Sequence, residues 1–251
     1  MMKKVKNSDL FRVFLRSFYI QGTWSVERML GLGFCFCIIP IAKRLCSNKE
    51  EMIKFLDRHM EYFNSQPYMA SYALGAIAKL EEQAIAKQWK DAKPITVFKE
   101  RLISPLGAIG DSLFWKSWKP LASTIGIITS MAVGWTGALV FLILYNLLHL
   151  YFRMRGIFQS YHKGFDIIRD LSIRGTKKYF SILSSVISAA IGALVVSSVF
   201  WLRGSGHDLK EIMFFIMMVF VSFGLTFRRN QAVETSFIII IIISVTIGLI
   251  I

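Results

Sequence analysis

Residues 121–152 carry no Asp, Glu, Lys or Arg over 32 positions, and this run constrains the fold more than any other stretch. Gly134, Trp135, Thr136 and Gly137 interrupt it near its middle. Lys116 and Lys119 precede it, and residues 153–178 hold seven Lys/Arg against two Asp. Both flanks therefore read as cytoplasmic under the positive-inside rule. A segment with both ends on one side must turn round. Each half, ~15 residues or ~22 Å at 1.5 Å per residue, falls short of the ~30 Å hydrocarbon core, so the expectation is a re-entrant hairpin. One long tilted span is the competing reading.

A chain with 54% hydrophobic residues, 21 Phe and only 5 Pro in 251 is too apolar for a soluble domain of this size. It is expected to be an all-α, polytopic membrane protein. The net charge of +14 sits in short clusters beside apolar runs, where a lipid bilayer with anionic headgroups is the expected partner. No nucleic-acid-binding signature accompanies it. Cys35, Cys37 and Cys46 are odd in number and lack metal or redox spacing, so they read as small apolar fillers. No metal or cofactor is expected, and no nucleophile–base pair or phosphate-binding loop marks an autonomous enzyme.

Three zones follow. Residues 1–28 read as a retained amphipathic N-terminal segment, with apolar residues alternating with Arg12 and Arg16 at helical spacing over 10–20. Residues 29–178 read as a re-entrant, cytoplasm-facing core. Within it, the apolar run 29–42 is too short to span, and 47–64 is a capped helix with a charged face on which His59 is solvated. A small-residue face over 70–78 (Ala70, Ser71, Ala73, Gly75, Ala76) calls for a partner subunit, and 87–100 is a polar connector. Residues 179–251 read as C-terminal transmembrane helices, with 180–202 the clearest span, His207 outside, and Arg228 and Arg229 inside.

The stretch 101–120 puts a single carboxylate, Asp111, into an apolar run after Pro105, Gly107 and Gly110. These breakers are expected to free backbone groups, and freed amides beside a carboxylate suit a polyhydroxylated ligand. Ser112 and Gly110 join Asp111 as substrate-binding candidates, with Phe114 and Trp115 as stacking faces. Asn64 and Gln66, at the break before Pro67, are further candidates. Asp111 as a helix N-cap is the structural alternative.

Four ordered motifs carry a family resemblance: W-S-V-E-R-M-L-G-L-G-F at 24–34, F-N-S-Q-P-Y-M-A-S-Y-A-L-G-A-I-A-K-L-E-E at 63–82, P-L-G-A-I-G-D-S-L-F-W at 105–115 and Y-H-K-G-F-D-I-I-R-D-L at 161–171. Together they resemble the IID component of the mannose/fructose/sorbose family of the sugar phosphotransferase system, over roughly residues 15–202. The resemblance implies a multi-pass subunit of the bacterial inner membrane. It would pair with a IIC subunit in a higher hetero-oligomer that binds and translocates a hexose or amino sugar, while IIA/IIB phosphocarrier proteins supply the phosphate. Departures at Ser104, Gly107-Ala108, Lys116 and Lys119 mark a divergent member, for which a non-transporting regulatory or scaffold role is the alternative.

Overall fold

A computed structural model describes residues 3–171, and among these every extended regular element is a helix. The expected C-terminal transmembrane helices over 179–251, with the span 180–202 and His207, lie outside the described residues.

Helices α1 (Asn7–Ser17) and α2 (Gly31–Leu45) pack antiparallel, because Asp9 at the start of α1 meets Arg44 at the end of α2 while Arg16 meets Phe36. The α1 pattern explains the packing: Leu10, Val13 and Phe14 are buried, whereas Phe11, Leu15 and Phe18 remain exposed. Pro40 lies inside α2 and has no N–H to bond the Phe36 carbonyl one turn back. Arg16 Nη1 donates to that carbonyl at 3.0 Å, and its guanidinium lies 4.6 Å from the Phe36 ring centroid. The apolar run expected over 29–42 is thus one helix that continues to Leu45.

Asn48 caps α3 (Lys49–His59) by accepting from Glu51 N at 2.8 Å, as its position before an amphipathic stripe leads one to expect. His59 overturns the reading of a solvated residue. It is 1% exposed, with Nε2 2.9 Å from Glu81 Oε1 on α4 (Ala70–Ala86), and Arg58 holds the same carboxylate bidentately at 2.7 and 2.6 Å. Burial lowers the proton affinity of His59 more than Glu81 raises it. Burial pushes the Glu81 carboxyl up, but the Arg58 and His59 hydrogen bonds outweigh it and hold the group below its ordinary range.

The small-residue face of α4 is covered within the chain, not left for a partner. A Cβ on Gly75 would sit 2.1 Å from the Ile157 carbonyl oxygen of α7 (Thr136–Lys163), and one on Gly156 would sit 2.3 Å from Ser71 Oγ. Only at such positions do two helix backbones approach this closely. The apolar run ends at 152, but α7 goes on through the basic segment, and that extra length supplies the packing surface.

Helix α5 (Lys93–Gly110) begins with Pro94 in its first turn and runs directly into a π-helix (Asp111–Trp118) and then α6 (Lys119–Val133). The polar connector expected over 87–100 is therefore helical from Lys93, and Pro105, Gly107 and Gly110 do not break the backbone. Buried Leu102, Leu106 and Ile109 keep helical spacing through them, and that packing outweighs the local cost of the breakers. The irregularity falls later. Lys119 N–H bonds the Phe114 carbonyl in the wide i→i+5 register, just before Pro120, which has no N–H to offer.

Gly134 (φ +67°) and exposed Trp135 turn the chain from α6 into α7, where the uncharged run was expected to reverse. After Gly164 (φ +55°) a 3-10 turn (Gly164–Asp166) leads into α8 (Ile167–Asp170). Among the described residues, one helical run, Thr136–Asp170, is long and apolar enough to cross a bilayer. Only 17% of its most apolar window is buried, and Leu139, Leu142, Ile143 and Leu147 are exposed, which separates it from the core helix of a soluble protein.

Candidate functional site

Three pieces of chain enclose a cleft of about 300 Å³: Gln21, Trp24 and Leu30 from the loop after α1, Asn64 to Pro67 before α4, and Gly107, Asp111 and Trp115 along one side of the α5–π rod. The last three are spaced by four residues, which stacks them on one helical face. The two loops are tied together, since Leu30 N donates to Phe63 O at 2.8 Å and Phe63 N donates to Arg28 O at 3.3 Å. Met29 takes φ +50° between them.

Gln66 does two jobs. Its Oε1 accepts from Tyr68 N at 2.8 Å and Met69 N at 2.9 Å, fixing the entry into α4, while its buried Nε2 has no protein partner. Ser65 Oγ is likewise buried without one. Unpaired buried polar groups cost roughly 1–3 kcal/mol each, so two of them on one cleft call for an explanation. Across the cleft, Asp111 is exposed, and with φ −63° and ψ −40° inside a continuous helix it is not an N-cap. Polar residues of the 64–66 segment on one wall and the Asp111 carboxylate on the other give a lining of the kind that suits a polyol.

Asn64, Gln66 and Asp111 line this cleft together. Gly110 stands behind it: a Cβ there would lie 2.5 Å from Gln66 Cβ, so glycine lets α5 close on the Gln66 stem. Ser112 is not among the lining residues, and its carbonyl accepts from Ser117 Oγ at 2.8 Å. Phe114, expected as a stacking face, is fully buried with its ring 4.9 Å from Tyr68, whereas Trp115 does line the cleft. Sequence reasoning missed Gln21, Trp24 and Ser65. Trp24, which opens the motif at 24–34, was the available signal.

Tyr68 connects the cleft to α7. Its ring stacks on His149 at 4.7 Å and lies 5.0 Å from the Arg153 guanidinium, while its hydroxyl hydrogen-bonds Tyr145 at 2.7 Å. His149 Nε2 is satisfied locally by Asn146 Oδ1 at 2.8 Å. Arg153 also donates to the Ser17 carbonyl at the end of α1.

A family model described as the PTS system mannose/fructose/sorbose family IID component matches residues 4–251. The chain is 38% identical over 194 residues to the PTS system mannose-specific EIID component of Escherichia coli K12, covering 77% of this chain and 69% of the relative. It is 29% identical to the fructose permease IID component of Bacillus subtilis, covering 77% and 70%. Among solved structures, a chain of the mannose transporter ManYZ in complex with microcin E492 matches with a TM-score of 0.63 at 38% identity, over 77% of this chain and 71% of that one. With the model match running almost end to end, this chain belongs to the IID component family of the mannose/fructose/sorbose phosphotransferase system.

Proposed function

We propose that the protein is the IID membrane subunit of a sugar permease: with a IIC subunit in the bacterial inner membrane it binds a hexose or amino sugar, moves it inward and presents it to IIA/IIB phosphocarriers. It contributes no covalent chemistry. The observation that carries this reading is the polar cleft that Asn64, Ser65, Gln66 and Asp111 line together. About 300 Å³ lies at the lower end of small-molecule sites, and Trp24 and Trp115 add apolar faces of the kind that pack on sugar rings. In this reading α1 lies along the cytoplasmic headgroups, and α6 and α7 enter the bilayer as a hairpin with the Gly134 turn at its tip. The exposed Leu139, Leu142, Ile143 and Leu147 support that placement.

The test is sugar binding and uptake by the reconstituted complex with Asp111→Asn. Losing a charge-assisted hydrogen bond worth roughly 1.5–3 kcal/mol should weaken sugar binding about ten- to hundred-fold with the complex intact. Intact assembly with unchanged affinity would return Asp111 to a passive surface role.

A further inference from the structure

A second cleft, of about 520 Å³, opens between α1 and α2, shares no lining residue with the Asp111 cleft, and is lined by Asp9, Arg12, Leu15, Arg16, Pro40, Lys43 and Arg44. Four cations face one carboxylate. Asp9 is 2% exposed and already engaged, accepting from Arg44 Nε at 2.8 Å and from Lys6 N at 3.1 Å. Its charge is spent on Arg44. Arg16 is held in place by the Phe36 carbonyl that Pro40 leaves free, and among the described residues Arg12 and Lys43 form no hydrogen bond or ion pair. Antiparallel packing thus gathers guanidinium and ammonium groups from two helices into one concave surface, two of them fixed and two able to close on a ligand.

An excess of positive charge at a concave site selects an anion, and arginine forks match phosphate oxygens. What adjoins the cleft narrows the anion further. Phe11, Leu15 and Phe18 are 49%, 49% and 42% exposed at i, i+4 and i+7 on α1, and Leu15 also lines the cleft. An apolar ridge against a cationic hollow fits a molecule with a phosphate head and a hydrocarbon tail, whereas a free phosphate would leave that ridge bare. We infer that the α1–α2 cleft is a binding site for the phosphodiester headgroup of an anionic phospholipid, with the acyl chains against Phe11, Leu15 and Phe18. Such a lipid would pin α1 to the bilayer surface and, through the Arg153 contact at Ser17, fix the end of α1 against α7.

The test uses the complete membrane complex in nanodiscs of phosphatidylcholine with phosphatidylglycerol, followed by native mass spectrometry of retained lipid. Wild type should hold phosphatidylglycerol preferentially. Arg12→Gln with Lys43→Gln should lower that retention roughly ten- to thirty-fold, since each basic group near an anionic lipid is worth ~1 kcal/mol. The equally charge-reducing pair Lys54→Gln with Lys90→Gln should not. Equal retention of both lipids by wild type, an equal loss with the control pair, or displacement of the lipid by millimolar inorganic phosphate would each overturn the inference. Sugar affinity is read in the same preparations and is expected to stay at its wild-type value in Arg12→Gln/Lys43→Gln, so failure here is distinct from failure at Asp111.

Discussion

The junction of α3 with α4 and the cleft at Asp111 treat their carboxylates in opposite ways. At the junction the Glu81 carboxylate is buried and accepts from Arg58 twice and from His59 once, so its charge is matched within the chain. At the cleft Asp111 stands exposed while Gln66 Nε2 and Ser65 Oγ are buried without protein partners. A carboxylate matched by its own chain holds a fold together; one left exposed on a polar cleft is open to a ligand. The titratable cluster that looks most like chemistry thus reads as architecture, and the quieter one is the proposed site.

The largest effect is expected from Glu81→Ala, which takes the counter-charge from the partly exposed Arg58 and the acceptor from the buried His59. Breaking a fully buried pair costs ~3–5 kcal/mol, and the partial exposure of Arg58 puts this loss toward the lower end, so the variant complex should melt well below wild type or fail to assemble. Wild-type stability would contradict the structural role. The same junction sets an acid limit. A histidine held neutral in the fold gains its proton more readily when unfolded, so stability is complete above the ordinary value of 6.5 and is lost as pH falls below it. Glu81, held below its ordinary 4.5, adds a further loss only at lower pH. Melting temperatures from pH 8 to pH 5 should fall, and His59→Gln should flatten the first part of that slope.

Next in size is Gly75→Val, which forces side-chain carbons against the Ile157 carbonyl and costs ~1–3 kcal/mol or more. It should loosen α4 from α7 without changing either charged region, readable as faster amide exchange along both helices. Asp111→Asn comes third and inverts the pattern, with affinity reduced and melting unchanged. The smallest change is Tyr68→Phe, which removes the hydroxyl bonded to Tyr145 but keeps the ring packing on Phe114 and His149. A loss of ~1 kcal/mol is expected, and an equally small shift in sugar affinity would show that the back wall tunes the cleft only weakly.

Much of the architecture was legible because local signals agreed with it. The all-helical character and the capped start of α3 each rest on residues adjacent in sequence. His59 was misread because its partner Glu81 lies 22 positions away and nothing in the charged text of α3 points to it. The continuity from Lys93 to Val133 was hidden for the converse reason: Pro105, Gly107 and Gly110 are strong local breakers, and the buried spacing of Leu102, Leu106 and Ile109 overrides them. At the cleft, Asn64, Gln66 and Asp111 were readable as polar punctuation in apolar surroundings. That they share one cavity with Trp24 depends on tertiary folding of the 18–30 loop, which no periodicity encodes.

The unbroken rod from α5 through the wide segment to α6 has a mechanical consequence. It runs on the order of 60 Å, so Asp111 and the Gly134 tip sit on one lever instead of two jointed arms. The compliant point of that lever is the wide segment directly beyond the carboxylate, where each turn carries an additional residue. Sliding that excess by one position rotates the length of helix it passes by about 100° about its own axis while barely changing the rod's direction. The helix on either side keeps its register, so such a slide turns side chains at the cleft wall and leaves the far end where it was.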